Sequence, residues 1–125
     1  MNIKKVFKPW GYELWIAEGI ETPYATKKIF FNSGNRTSLQ VHERKIETNF
    51  VLKGTGKLFI SKNPFDIELF LSNGMTQEEI EVYQSEMEII NLFENVVVTV
   101  PPKFVHRVVA DTDLEFIETS SIELD

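Results

Sequence analysis

Two histidines, a glutamate and a glutamine lie in this chain at spacings that can bring metal-binding atoms together. Gln40 and His42 are two residues apart, so on a β-strand their side chains leave the same face. Glu47 follows them, and the second of the chain's 2 histidines, His106, lies in a later segment. Imidazole nitrogens, a carboxylate and an amide oxygen suit a divalent cation. The sequence therefore predicts a metal site formed by Gln40, His42, Glu47 and His106.

Short β-strands are the elements that must position these side chains. Val, Ile, Phe, Tyr, Trp and Thr recur in short runs that Gly, Pro and Asn separate. Turns are predicted at Gly34, at Gly54 and at Asn73-Gly74, because Gly and Asn tolerate positive φ. Many short strands with regular turns favour an all-β sandwich or barrel. The predicted strands are Tyr12–Ala17, Ala25–Phe31, Thr37–His42, Thr48–Lys53, Lys57–Ser61, Ile67–Leu71, Glu88–Leu92, Val96–Val100, His106–Ala110 and Leu114–Glu118.

One short helix is predicted between the strands. Thr76 and Glu79 have the spacing of a capping box, in which the side chain of each residue bonds to the backbone N–H of the other. Ile80 and Tyr83 would then share one face of the helix. We therefore predict a short helix or turn over Gln77–Gln84.

The alternation of side chains along a strand predicts which of them face the interior of a barrel. If Gln40 and His42 face inward, Arg36 and Ser38 lie on the same side, toward one mouth. Arg107 has the opposite parity to the neighbouring histidine, so its side chain should point away unless a bulge re-aims it. By the same alternation the interior would also hold Asn49, Val51, Phe104 and Val108.

Length, charge and cysteine content limit the classes of function. The chain has 125 residues, which predicts one domain spanning residues 1–125. Its 19 acidic and 13 basic side chains give a net charge of -6, which argues against nucleic acid as a partner. Without cysteine there is no disulfide framework and no thiolate metal site. No segment has the character of a signal peptide or a membrane span, so a cytoplasmic location is expected.

Two separated patterns resemble the two motifs of the cupin superfamily, which implies that this chain is a single-domain cupin, a jelly-roll barrel also called a double-stranded β-helix. The first motif is matched by Gly34-x5-Gln40-x-His42-x4-Glu47-x6-Gly54. The second is matched by Pro101-x-Lys103-x2-His106. Gln40 stands where the first motif often has His, and Lys103 stands where the second usually has Gly.

Three local stretches are similar, more narrowly, to the cupin domain of type II mannose-6-phosphate isomerases. Lys8–Glu13 reads Lys-Pro-Trp-Gly-Tyr-Glu, Arg36–His42 resembles R-x-S-L-Q-x-H, and Pro101–Arg107 matches P-x-x-x-V-H-R. Two features depart from that family. Thr48-Asn49 stand where it usually has His-Trp, and an acidic tail that it usually carries does not follow the final Glu-Leu-Asp.

The resemblance implies a metal-dependent sugar-phosphate isomerase that interconverts mannose 6-phosphate and fructose 6-phosphate. The metal would lie inside the barrel, held by Gln40, His42, Glu47 and His106, and Zn, Mn, Fe, Co or Ni would suit these ligands. Both histidines are then ligands, so the general base stays unassigned. The resemblance also implies a homodimer, in which Trp10 and Trp15 either pack internally or contact the partner. The residues expected to bind the sugar phosphate are Arg36, Ser38, Lys103 and Arg107, with Lys28 as a weaker candidate for its phosphate.

Two other functions remain open at this point. His42, His106 and Glu47 also form a set of two histidines and one carboxylate, which suits a non-haem metal dioxygenase. A non-catalytic module that binds a sugar or a metabolite is the other alternative, since no base is assigned.

Overall fold

The structure is a computed structural model that describes residues 3–64 and 76–122. Within these residues the fold consists of β-strands and one helix. The helix is α1 (Gln77–Ser85). The all-β class that the sequence predicts is confirmed. The strands are β1 (Lys4–Lys8), β2 (Gly11–Glu18), β3 (Tyr24–Phe31), β4 (Glu47–Lys53), β5 (Gly56–Ile60), β6 (Glu88–Leu92), β7 (Val97–Val100), β8 (His106–Ala110) and β9 (Leu114–Ser121).

Two antiparallel sheets enclose the core. One has 6 strands in the order β1-β2-β3-β9-β4-β7, and the other has 3 strands in the order β6-β5-β8. Period-2 alternation turns apolar side chains of both sheets toward each other. Burying one such side chain contributes about 1.5–3 kcal/mol. The buried cluster comprises Ile29, Phe31, Val51, Leu58, Ile60, Leu92, Val98, Val100, Val108, Ala110, Leu114 and Phe116.

The segment around Gln40 is not the strand that the sequence predicts at Thr37–His42. It runs beside β8 and forms only isolated bridges, Arg36 with Val109 and Gln40 with His106. The bridges are 4 residues apart on this segment but 3 apart on β8, so one extra residue interrupts the pleat. Because an extra residue reverses which side chains face inward, the alternation assumed from the sequence fails here.

The other predicted elements differ from the observed ones mainly at their ends. The sequence does not predict β1, which pairs with β2 at the edge of the larger sheet. The strand predicted at Ile67–Leu71 lies outside the described residues. The predicted helix is confirmed: the Glu79 N–H donates to the Thr76 hydroxyl at 3.2 Å, and the Thr76 N–H donates to the Glu79 carboxylate at 3.3 Å. Across residues 3–64 and 76–122, no helix has the length and apolar character needed to cross a membrane.

Candidate metal and substrate site

A cavity of about 400 Å³ opens between the sheets, and all four predicted metal ligands line it. β4 provides Glu47, β8 provides His106, and the irregular segment before β4 provides Gln40 and His42. Core side chains such as Phe31 form its apolar wall. Polar groups within an apolar cavity are typical of a small-molecule site. The polar lining comprises Glu13, Lys27, Thr37, Gln40, His42, Lys45, Glu47, Asn49, His106 and Glu118.

His106 and Glu47 contact each other inside this cavity. The Nε2 atom of His106 lies 3.3 Å from Oε1 of Glu47, and both residues are buried. The other ring nitrogen, Nδ1, is 3.1 Å from the Phe104 carbonyl oxygen, which can only accept a hydrogen bond. Nδ1 therefore carries hydrogen, and in the neutral ring Nε2 presents a lone pair. Because Nε2 has no hydrogen-bond partner among the described residues, two acceptor atoms face each other across a gap that suits a proton or a cation.

Backbone hydrogen bonds hold Gln40 and His42 beside this pair. The N–H and carbonyl groups of Gln40 each bond to those of His106 at 2.9 Å. The His42 carbonyl oxygen accepts from the Lys103 N–H at 2.6 Å. Lys103 has a left-handed φ of 70°, at the motif position where Gly is usual. The ring centroids of His42 and His106 are 5.9 Å apart, so both imidazoles lie against the same cavity.

The donor chemistry of this cavity fits a divalent cation. In the described part of the chain, no three His, Asp or Glu side chains already have the spacing of a metal cluster. The fit rests on the lone pair of His106 Nε2 opposite the Glu47 carboxylate, with His42 and Gln40 lining the same cavity. Imidazole nitrogen together with carboxylate and amide oxygen is a set that several divalent metals accept.

A lysine and a second carboxyl group surround Glu47. The Nζ atom of Lys45 is 3.4 Å from Glu47 Oε2 and 3.9 Å from Glu118 Oε2. Burial alone would raise the pKa of Glu47, but its interactions with His106, Glu118 and Lys45 outweigh burial and hold that pKa well below its usual range. Burial, and then the charge and hydrogen bond of Glu47, raise the pKa of Glu118 well above its usual range. One carboxyl group is therefore ionised while its neighbour holds a proton.

Trp10 lines the cavity, and Trp15 contacts two residues that line it. The Trp15 indole N–H donates to Glu13 Oε1 at 2.9 Å, and the Lys27 Nζ atom is 3.8 Å from the same oxygen. That ammonium group also lies 4.6 Å from the centroid of the Trp15 ring. Trp10 stacks on Phe31 with ring centroids 4.3 Å apart and lines the cavity. The internal packing predicted for Trp10 is confirmed.

Most residues predicted to bind the substrate phosphate lie outside the cavity. Arg36, Ser38 and Lys103 are exposed and do not line it. The prediction that Arg36 and Ser38 face the interior is wrong, because the extra residue beside β8 reverses the alternation. Lys28 points to the outer face of β3, where its Nζ atom is 2.6 Å from Glu115 Oε1.

Arg107 is buried and has a structural role, and its side chain does not line the cavity. Its Nε donates to the Thr37 carbonyl oxygen at 2.9 Å, and its guanidinium donates to Gln84 Oε1 at 2.6 Å. The side chain thus joins β8 to the irregular segment and to α1. The parity argument, which turned Arg107 away from the interior, agrees with this position, whereas the substrate role has no support in the geometry.

Six polar residues of the cavity were not assigned to the site from the sequence, namely Glu13, Lys27, Thr37, Lys45, Asn49 and Glu118. Alternation contains a signal for two of them. Lys27 lies on the same face of β3 as the buried Ile29 and Phe31, because even numbers of residues separate them. Glu118 lies on the same face of β9 as the buried Phe116 for the same reason. A charged side chain on the same strand face as buried apolar side chains needs a partner or a ligand. Asn49 is predicted to face inward, but nothing in the sequence gives it a role.

The fold is similar to solved structures at low sequence identity. KdgF from Halomonas sp. superposes with a TM-score of 0.67 and 17% identity, over 100% of this chain and 89% of KdgF. The capsular polysaccharide assembling protein CapF from Staphylococcus aureus gives 0.68 and 16%, over 100% of this chain and 30% of CapF. Oxalate decarboxylase from Bacillus subtilis gives 0.69 and 13%, over 98% of this chain and 28% of that enzyme.

These likenesses establish the fold and confirm the predicted cupin barrel. The chain spans less than a third of the length of CapF and of oxalate decarboxylase. No curated protein sequence matches it. The sequence profile described as mannose-6-phosphate isomerase C-terminal matches residues 1–89, more than half of the chain and inclusive of the first motif. The chain therefore belongs to the mannose-6-phosphate isomerase C-terminal family of cupin domains.

Proposed function

We propose that this protein is a metal-dependent sugar-phosphate isomerase that interconverts mannose 6-phosphate and fructose 6-phosphate. The observation that carries the proposal is the pair of His106 and Glu47, whose acceptor atoms face each other in a cavity that His42 also lines. The family supports the class of substrate. A cavity of about 400 Å³ is within the range that holds a small molecule of this size.

The residues that would hold the metal are Gln40, His42, Glu47 and His106. A divalent cation bound there would polarise the sugar carbonyl and stabilise the negative charge that develops on its oxygen. The bond between His106 Nδ1 and the Phe104 carbonyl keeps the opposite ring nitrogen turned toward the site. A solved relative, oxalate decarboxylase from Bacillus subtilis, is described as having Mn(II) centers, which supports a metal in a barrel of this type.

Glu118 is our candidate for the group that moves the proton between C1 and C2, in the ionised form that a cation bound at Glu47 would favour by offsetting the Glu47 charge. Such a group must lie within hydrogen-bond reach of the reacting carbons. Among the described carboxyl groups that line the cavity, Glu47 is assigned to the metal and Glu13 accepts a hydrogen bond from the Trp15 indole. Glu118 remains, with the Lys45 ammonium group 3.9 Å from its Oε2 atom to hold it in place.

A coupled isomerase assay on metal-loaded protein tests the proposal. We expect turnover of mannose 6-phosphate by the native protein, loss of turnover in His42→Ala, and a kcat lowered about 100-fold or more in Glu118→Gln. Glu115→Gln is the matched control, because Glu115 lies on the outer face of the same strand, next to Lys28.

The alternatives give different outcomes in the same preparation. Absence of turnover with Zn, Mn, Fe, Co and Ni, each at full occupancy, would refute the isomerase. Oxygen uptake by the iron-loaded protein with a candidate substrate would favour the dioxygenase, since isomerisation needs no oxygen. Thermal stabilisation by a sugar without turnover would favour the binding module.

A further inference from the structure

Asn49 carries a buried oxygen atom that no group in the described fold satisfies. The residue is 6% exposed and lines the cavity, and its Oδ1 atom has no hydrogen-bond partner within residues 3–64 and 76–122. A buried amide oxygen without a donor is unfavourable. The cavity therefore suits a bound molecule that donates a hydrogen bond at this point, as a hydroxyl group does.

Lys27 lies in the same row of side chains as Asn49. Lys27 on β3 pairs with Glu118 on β9, and Glu118 pairs with Asn49 on β4. Paired residues of neighbouring strands face the same side of a sheet, and all three line the cavity. Two strand spacings, about 10 Å, separate the backbones of Lys27 and Asn49. This arrangement suits a ligand with a hydroxyl group near one end and an anion at the other.

Two lysines among the described residues line the cavity, and Lys27 is better placed than Lys45 to bind an anion from solution. Lys45 lies within 3.4 and 3.9 Å of two carboxyl groups. Lys27 has Glu13 at 3.8 Å, and that carboxylate oxygen already accepts a hydrogen bond from Trp15. The Lys27 side chain is 20% exposed, against 11% for Lys45, so its ammonium group is more accessible to an entering ligand.

We infer that Lys27 and Asn49 form a substrate subsite, in which Lys27 binds the phosphate of a hexose phosphate and Asn49 Oδ1 accepts a hydrogen bond from a sugar hydroxyl. The inference rests on the proposed function, because that function supplies the class of ligand. Asn49 is two residues from Glu47 on the same face of β4. The sugar hydroxyl that donates to Asn49 Oδ1 would therefore lie near the reacting end of the sugar, and the phosphate would lie toward β3.

Calorimetric titration of the protein as purified tests the subsite, with mannose 6-phosphate, mannose and inorganic phosphate as ligands. We expect Lys27→Met to weaken mannose 6-phosphate binding about 10-fold or more and to leave mannose binding unchanged. Lys27→Arg should restore most of the loss. Asn49→Leu should weaken both sugars without lowering the unfolding midpoint, because the replaced oxygen has no partner in the described fold.

Lys28→Met is the matched control, since Lys28 is the next residue on the same strand and faces outward. Equal mannose 6-phosphate affinity in the native protein and Lys27→Met would overturn the subsite and leave the isomerase proposal intact. An equal loss in Lys28→Met would also overturn it, because the effect would then be one of general charge. Absence of binding of both sugars to the native protein would overturn the subsite together with the proposed function.

Discussion

Glu47 Oε1 and His106 Nε2 lie 3.3 Å apart, although the two residues begin strands that belong to different sheets. The pair therefore joins the larger sheet to the smaller one inside the barrel. Neighbouring groups orient both members: the Phe104 carbonyl oxygen accepts from the imidazole at 3.1 Å, and the Lys45 ammonium lies 3.4 Å from the carboxylate. A substitution at either residue should consequently change stability as well as metal binding.

Loss of either imidazole should remove the metal. Elemental analysis of native protein purified without a polyhistidine tag should give close to one ion per chain, and His42→Ala and His106→Ala should lose most of it. Loss of a direct ligand should weaken affinity by more than the roughly 10–100-fold that loss of an outer-shell partner causes. Circular dichroism would verify that the variants fold. Full metal content in His42→Ala would show that His42 is not a ligand.

The proton on Glu118 should make the stability of the metal-free protein depend on pH. The pKa of Glu118 is raised in the fold, so the stability it contributes is present below its unfolded pKa of about 4.3 and is lost as pH rises toward the folded pKa, by up to about 1.4 kcal/mol per pH unit. Glu118→Gln mimics the protonated form. Urea unfolding should therefore find this variant more stable than native protein at pH 8 and similar at pH 4. A less stable variant at pH 8 would mean that Glu118 is ionised in the fold.

Glu47 should show the opposite dependence. Its pKa is lowered in the fold, so the stability it contributes is present above about pH 4.3 and is lost as pH falls. Glu47→Gln removes the charge that faces His106 and Lys45, and metal-free Glu47→Gln should be less stable than native protein at pH 8. The difference should shrink as pH falls below 4. Urea unfolding midpoints of native protein and Glu47→Gln should be compared across this pH range. Midpoints that change in parallel would contradict the lowered pKa of Glu47.

Motif spacing predicts the residues of the site better than it predicts where side chains point. The spacing of Gln40, His42, Glu47 and His106 reflects strand and turn lengths that the fold fixes, and all four line one cavity. The direction of Arg36 depends on one extra residue opposite β8, which only the pairing of the two segments reveals.

Sequence patterns locate the polar neighbours of the four predicted metal ligands less well, for a different reason. Glu118 and Lys27 lie on the same strand faces as buried side chains. They come close to the residues of β4 only because the strand order of the larger sheet is β3-β9-β4. That order is a long-range property, which local propensity and alternation do not determine. Lys45 lies outside the strands, so no alternation applies to it.

Arg107→Met should destabilise the fold and leave substrate affinity unchanged. The variant keeps an apolar side chain but removes the donors that satisfy the Thr37 carbonyl oxygen and Gln84 Oε1. Loss of these bonds from a buried guanidinium should cost about 2–4 kcal/mol. Chemical unfolding would measure the loss, and calorimetry would measure binding of mannose 6-phosphate. Weakened binding with unchanged stability would restore Arg107 as a substrate ligand, and Lys103→Met should change neither quantity.

Gly54→Ala should cost far more stability than Gly34→Ala, although both glycines have left-handed φ, at 90° and 80°. A Cβ atom at Gly54 would collide with the Asp113 carbonyl oxygen, whereas a Cβ at Gly34 meets no atom of the described residues within 4 Å. Gly34→Ala should therefore cost only the conformational penalty of about 1–2 kcal/mol. Gly54→Ala adds displacement of the chain before β9, and we expect a total loss of about 3 kcal/mol or more. Urea unfolding of the two variants would separate these contributions, and equal losses would mean that the strand end yields to the extra atom without cost.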